Sequence, residues 1–400
     1  MPARPLLPAH IGFLRAQEQI VERLVELEKA SMTPSNEFLH EEVLLRKLAD
    51  AIAWQLLGRQ LYIARRLCTQ EKPPRLTTSN YTATFACAKH LMEPEFSKVA
   101  LMTDITTFIH TGDLVIRDPA MGELSFAEVK EGEKNHRCLE ALKFLKKTPC
   151  PMYLKKFAVD EGRHAVDQLM RMAKQADRMG NVAQILDTGR GKDPVLGMEV
   201  RIPDLPFEHD DWDSRLGAVI ECSKERGWAI DVIDDTLFLG AYRGAMQNLG
   251  PAVFQSWFSN SCSGKAFPIL NLMQCMEVPL ALPVFSRNLS TESIFDLLFG
   301  RCRVYVGINL DGLIKNIESL GVRARWASRK ETGRLNKNGQ AVLFEHRAIV
   351  CENGKDNCVI GDGLLLRMAF HGLTPRSSAD LIARTFSDHR EENTSTDCAL

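Results

Sequence analysis

The stretch TGDLVIRDPAMGELSFAEVK, Thr111 to Lys130, carries an aspartate at one end and a Glu-x-Lys triplet at the other. Folded as an antiparallel hairpin about a pivot between Ala120 and Met121, it sets Asp113 opposite Glu128. Side chains directly across a strand pair lie about 5 Å apart at Cβ, so both carboxylates reach one cation. Glu128 and Lys130 are two residues apart on a strand and share a face. Two carboxylates held together repel each other and lose hydration, and a divalent cation removes that repulsion. Mg²⁺, for which Mn²⁺ substitutes, takes such acids together with waters and phosphate oxygens. A neighbouring ammonium group orients a water and stabilises charge developing on phosphorus. The chemistry that suits this set is hydrolysis of a phosphodiester.

The elements that must hold these residues are legible on either side. From Asn36 to about Cys68 the spacing is helical, with Phe38, Leu45, Leu48, Ile52 and Leu56 on one side and Ser35 or Asn36 as N-cap. Ile105–His110, Leu114–Arg117 and Leu124–Lys130 read as strands. The run KNHRCLEALKFLKK reads as a helix ended by Pro149 and Pro151, and a long polar helix follows from about Asp160 to Met179. WAIDVI and TLFLGAY flank Asp234-Asp235 as a second hairpin. This order predicts an α/β fold with a mixed sheet flanked by helices. Beyond a soft boundary near 250 come a helical region, a strand at 303–309, a helix at 310–321 and the strand-like VRARWAS, AVLFEHRAIV and LLLRMAF. The expected organisation is a first domain over 1–250 (core 35–150, helical insertion about 155–185), a second α/β (α+β) domain over 251–390, and a disordered tail over 391–400.

The hairpin resembles the PD-(D/E)XK, or restriction-endonuclease-like, nuclease superfamily, whose pattern is an acid at a strand start, a hydrophobic run, then (D/E)-x-K on the next strand, between two helices. Here the match is Thr111-Gly112-Asp113 with Leu114, Val115 and Ile116, followed by Phe126-Ala127-Glu128-Val129-Lys130, and glycine stands where the superfamily's name has proline. The resemblance implies Asp113 and Glu128 as metal ligands, Lys130 as the catalytic lysine and a glutamate of the first helix, Glu41 in preference to Glu42, facing the metal. It implies a Mg²⁺-dependent endonuclease acting on nucleic acid, DNA in preference to RNA, in defence against phage or mobile DNA, with a helicase or ATPase as a partner protein. The alternative is a catalytically inactive nucleic-acid-binding or scaffold protein on the same fold.

Lys134, His136 and Arg137, on the helix after the hairpin, are candidates for phosphate contact, as are Arg323 and Arg325 around Trp326. The formal charge of −1 excludes global basicity and makes any nucleic-acid surface a local one. Cys87 with His90, and Cys351 with Cys358, lack the second pair that a zinc finger needs. SNSCSGKAF lacks the first glycine and the final Ser/Thr of a phosphate loop. Eleven scattered cysteines predict reduced thiols. The first residues lack the apolar core of a signal peptide, and the longest apolar run, 269–285, is interrupted by polar residues and two prolines. A cytoplasmic protein without membrane contact is expected.

Overall fold

The computed structural model describes residues 8–30, 36–69, 73–93, 98–194, 197, 199–202, 210–262, 269–336, 341–354 and 356–397. The chain divides into two compact units, Met1–Ile202 and Pro203–Leu400. The boundary therefore precedes the expected one near 250, because the strands on either side of 250 pair with each other, as described below.

The first unit begins with helices α1 (Pro8–Ala30), α2 (Asn36–Leu56), α3 (Leu61–Leu67) and α4 (Tyr81–Leu91). Three short strands follow: β1 (Val99–Met102), β2 (Leu114–Arg117) and β3 (Leu124–Ala127). Their order is β1-β2-β3, and both pairings are antiparallel. β2 is central, and its Leu114, Val115 and Ile116 are buried, as an apolar run in a strand covered on both faces requires. The first strand lies at 99–102 and not at 105–110. The latter segment leaves the sheet through a 3₁₀ turn at Thr103–Ile105 and is tied by side chains to α2. Buried Gln17 of α1 donates to Ala100 O (3.3 Å) and accepts from Met102 N (2.8 Å), which satisfies the open edge of β1.

α5 (Glu133–Lys147) is the helix expected after the hairpin, and α6 (Pro151–Glu161) and α7 (Arg163–Thr188) span the helical insertion expected at about 155–185. They pack about Cys138, Ala141, Leu142, Phe157, Leu169 and Met172. A small antiparallel pair, β4 (Arg190–Lys192) and β5 (Glu199–Arg201), closes the unit.

The second unit comprises α8 (Asp213–Arg226), β6 (Trp228–Ile233), β7 (Leu237–Arg243), α9 (Met246–Ser261), β8 (Leu270–Asn271), α10 (Thr291–Leu298) and β9 (Cys302–Ile308). These continue into α11 (Leu310–Glu318), β10 (Arg323–Trp326), α12 (Arg329–Leu335), β11 (Ile349–Asn353), β12 (Asp356–Val359), α13 (Asp362–Phe370) and α14 (Pro375–Asp397). One sheet has the order β6-β7-β9-β8 and another β10-β11-β12. β7 pairs with β9 along its whole length, from Leu237↔Ile308 to Arg243↔Cys302. Asp234 and Asp235 both have positive φ (49° and 51°) and turn the chain between β6 and β7, the backbone that a type I′ turn demands. Phe254 and Phe258 of α9 lie against Gly240 and Gly307. A Cβ at either glycine would come within 3.0 Å of a ring carbon, so the helix seats only because these strand positions carry no side chain.

The architecture is α+β. Every strand pairing among the described residues is antiparallel, which corrects the expected mixed sheet. LLLRMAF, expected as a strand, belongs to helix α13, where Leu364, Leu365, Met368 and Ala369 recur on one buried side at helical spacing. The tail expected to be disordered from Glu391 continues α14 to Asp397. Residues 398–400, the N-cap Ser35, and most of the phosphate-loop-like stretch (263–267) lie outside the described residues.

Candidate active site

Within β2 and β3 the hairpin has the register read from its sequence, but the ladder ends at Leu114↔Ala127, one pair short of Asp113 and Glu128, and the strand expected to reach Lys130 stops at Ala127. Leu114 faces Ala127, Val115 faces Phe126, and Arg117 faces Leu124. Asp118 closes the turn by accepting from Ala120 N (2.9 Å) and Met121 N (3.2 Å), a backbone role. At the other end Asp113 N donates to Ala127 O (2.8 Å), and Asp113 Oδ2 accepts from Val129 N (2.7 Å). The aspartate thus holds the chain as it leaves β3. Gly112 has φ +78°, and a Cβ there would lie 3.2 Å from Ala127 O. Proline, locked near −65°, cannot take this backbone, so the departure from the superfamily's name has a conformational reason.

Beyond β3, Glu128 and Lys130 lie on one side, with Lys130 Nζ 2.7 Å from Glu128 Oε2. The two side chains keep only 16% and 21% of their exposure, so the ion pair is substantially withdrawn from water. Burial pushes the Glu128 carboxyl above the usual carboxylate range. The Lys130 hydrogen bond opposes that shift, and the charge and hydrogen bond of the Asp113 carboxyl add to it. Asp113, Glu128 and Lys130 therefore converge. From α7, Gln175 Oε1 lies 3.5 Å from Lys130 Nζ.

Asp104, in the 3₁₀ turn after β1, was not apparent from the sequence. Its carboxyl is raised chiefly by burial, and further by the charge of Asp113, while a hydrogen bond from Ser79 and the charge of Arg46 lower it. Arg46 of α2 donates to Asp104 O (2.8 Å) and pairs with Glu42 (2.8 Å). Asp50 accepts from Thr107 N (2.7 Å) and Thr107 Oγ1 (2.5 Å) and pairs with Lys47 at 3.0 Å, both side chains being almost wholly buried. Through these bonds α2 holds the 103–107 segment beside Asp113. The linking face of α2 is polar, which is why a search for apolar periodicity passes over it.

Glu41 does not join the cluster. Both its oxygens are taken by Arg23 of α1, at 2.6 and 2.9 Å. The buried side of α2 runs through Arg46, Lys47, Asp50, Ala53 and Trp54, whereas Leu48 of the expected stripe is 39% exposed. Glu42 is the glutamate linked to Asp104, through Arg46. On α5, Lys134 and His136 are exposed, but Arg137 is paired with Glu161 (2.9 Å) and Glu133 (3.3 Å) and joins α5 to α6. Arg325 is held by Glu331 (2.7 Å) and Glu352 (2.5 Å), and Arg323 lies 3.6 Å from Glu352 at 73% exposure. Arg325 thus ties β10 to α12 and β11.

Among the described residues no group of three or more His, Cys, Asp or Glu side chains is arranged to hold a metal ion. Asp113 and Glu128 are two protein donors, the number with which Mg²⁺ is commonly held when waters and substrate phosphates complete its shell. Their mutual repulsion, visible in the raised Glu128, is what a cation would relieve, so the donor set fits. No described helix is long and apolar enough to cross a membrane. Compared with known protein families, curated proteins and solved structures, the chain matches none of them.

Proposed function

We propose that the first unit is a metal-dependent nuclease of restriction-endonuclease-like type that hydrolyses phosphodiester bonds, with DNA as the favoured substrate. The observation that carries this reading is the convergence of Asp113, Glu128 and Lys130 at the mouth of one hairpin. Asp113 has one oxygen committed to Val129 N, which fixes its orientation and aims the other at the site. Glu128, once deprotonated, completes a pair of carboxylates for Mg²⁺ or Mn²⁺. Lys130, released from Glu128 when substrate enters, donates a hydrogen bond to the attacking water or to a phosphoryl oxygen and stabilises negative charge there. Bound Mg²⁺ would supply a Lewis acid at the scissile phosphate and a water of lowered pKa. Water oxygen bonds to phosphorus as the bridging P–O bond breaks, and the leaving oxygen takes up the proton that the water gives up. Action against phage or mobile DNA, with a helicase or ATPase partner, extends this reading.

The test is cleavage of linear DNA, plasmid DNA and single-stranded RNA with Mg²⁺ or Mn²⁺, comparing wild type with Glu128→Ala and Lys130→Ala. Loss of roughly 10²-fold or more in both variants is expected for groups acting on the transition state. Variants that cut as wild type does remove the hairpin from the reading. The closed Lys130–Glu128 ion pair favours one alternative, a catalytically inactive nucleic-acid-binding protein, for which binding would be unchanged in EDTA and no cutting would occur.

A further inference from the structure

Between α5 and α7 lies a cleft of about 410 Å³, with Glu128 and Lys130 among the residues that line it. Its walls are Leu139 and Leu142 from α5 and Met172, Ala176 and Met179 from α7, with the Gln175 amide as the remaining polar group. The volume falls in the range of roughly 300–1,000 Å³ typical of ligand sites, and the lining has their form, apolar walls with a few placed polar groups. A β3 hairpin holding acids and a lysine needs no such cleft for phosphate chemistry alone. Such a lining suits an occupant with apolar faces for the leucine and methionine side chains and a polar edge for Gln175, and on the nuclease reading that occupant is joined to a phosphate that reaches Lys130. A nucleobase meets all three. Thioether sulfur packs favourably against aromatic rings, and a carboxamide reads a base edge through paired donor and acceptor.

Resting on the nuclease reading above, we propose that this cleft receives an unpaired nucleobase next to the scissile phosphate, so that the substrate is single-stranded, frayed or flapped nucleic acid. A base within a duplex is stacked and paired, and it reaches such a cleft only after leaving the stack, at a cost that unpaired strands do not bear.

The experiment measures binding of oligonucleotides carrying the fluorescent base 2-aminopurine, with Ca²⁺ in place of Mg²⁺, as single strand and as blunt duplex. Single strand is expected to bind roughly tenfold tighter, the size of one or two contacts between methionine sulfur and a base ring, with a change in emission at one position. Ala176→Trp, which fills the cleft, is expected to bring single-strand affinity down to that of duplex. Gln175→Leu, which keeps the volume, is expected to level affinities among the four homopolymers and serves if the tryptophan variant fails to fold. If both variants bind as wild type does while Glu128- and Lys130-dependent cutting persists, the base cleft is overturned and the nuclease reading stands. If no nucleic acid binds and none is cut, the nuclease reading falls and the cleft assignment falls with it.

Discussion

At the scale of residues, the site depends on a carboxyl that is harder to ionise than usual. The folded chain holds the Glu128 proton above the ordinary glutamate value of about 4.3, where the unfolded chain releases it. The folded state therefore binds more protons across that window, and stability falls as pH rises from the ordinary value through the raised one. Melting temperatures of wild type and Glu128→Gln as a function of pH should diverge there, with the variant lacking the decline. If Asp113 and Glu128 hold Mg²⁺, protons compete with the cation for the Glu128 oxygens across that window, and Mg²⁺ affinity should increase with pH there. Calorimetry in two buffers of different ionisation enthalpy would detect the released proton, and equal heats in both would contradict it. Gly112 gives a second residue-level expectation. With φ +78° and Ala127 O close to its missing Cβ, Gly112→Ala should cost about 1–2 kcal/mol in a urea titration, the cost of left-handed backbone in an L-residue.

At the scale of elements, α2 secures the segment between β1 and β2 through buried polar groups. Asp50→Ala leaves Lys47 buried beside an empty position and frees the Thr107 amide. A loss of roughly 3–5 kcal/mol is expected from breaking such a pair, whereas joint replacement by Lys47→Met and Asp50→Leu should recover much of it. Chemical denaturation of the three variants separates these outcomes. In the second unit the β11–β12 hairpin sets Cys351 opposite Cys358, both of them free thiols. The Ile360 N–H to Ile349 O bond places that pair at a hydrogen-bonded position of the ladder, where Cα atoms are about 5.5 Å apart, within the span of a disulfide. Oxidised glutathione should join them, its disulfide reduced to two thiols as the cysteines give up two electrons and two protons. Peptide mass mapping that finds glutathione on Cys358 and no cross-link would refute the pairing.

At the scale of the whole molecule, the sheet β6-β7-β9-β8 decides where the chain divides. A fragment of residues 1–202 keeps every described strand of its unit paired, and should unfold cooperatively as a monomer. A fragment ending at 250 carries β7 without β9, leaving seven residues of strand edge open, and such an edge invites association. Size-exclusion chromatography of the two fragments tests this, with aggregation expected of the longer one alone.

The sequence by itself determined the hairpin, its register and the convergence of Asp113, Glu128 and Lys130. Those features depend on alternation and turn chemistry within twenty residues, so local rules suffice. It also located α5 and the β6–β7 turn. Only the tertiary structure decided which glutamate of α2 lies toward the site, that Arg23 holds Glu41, that Arg325 is neutralised by Glu331 and Glu352, and that Asp104 stands beside Asp113. It alone placed Gln175 and the methionines of α7 in one cleft with Lys130. In each case a charge or a helix face takes its meaning from a partner elsewhere in the chain, and burial, which sets the strength of that interaction, exists only once the elements have packed.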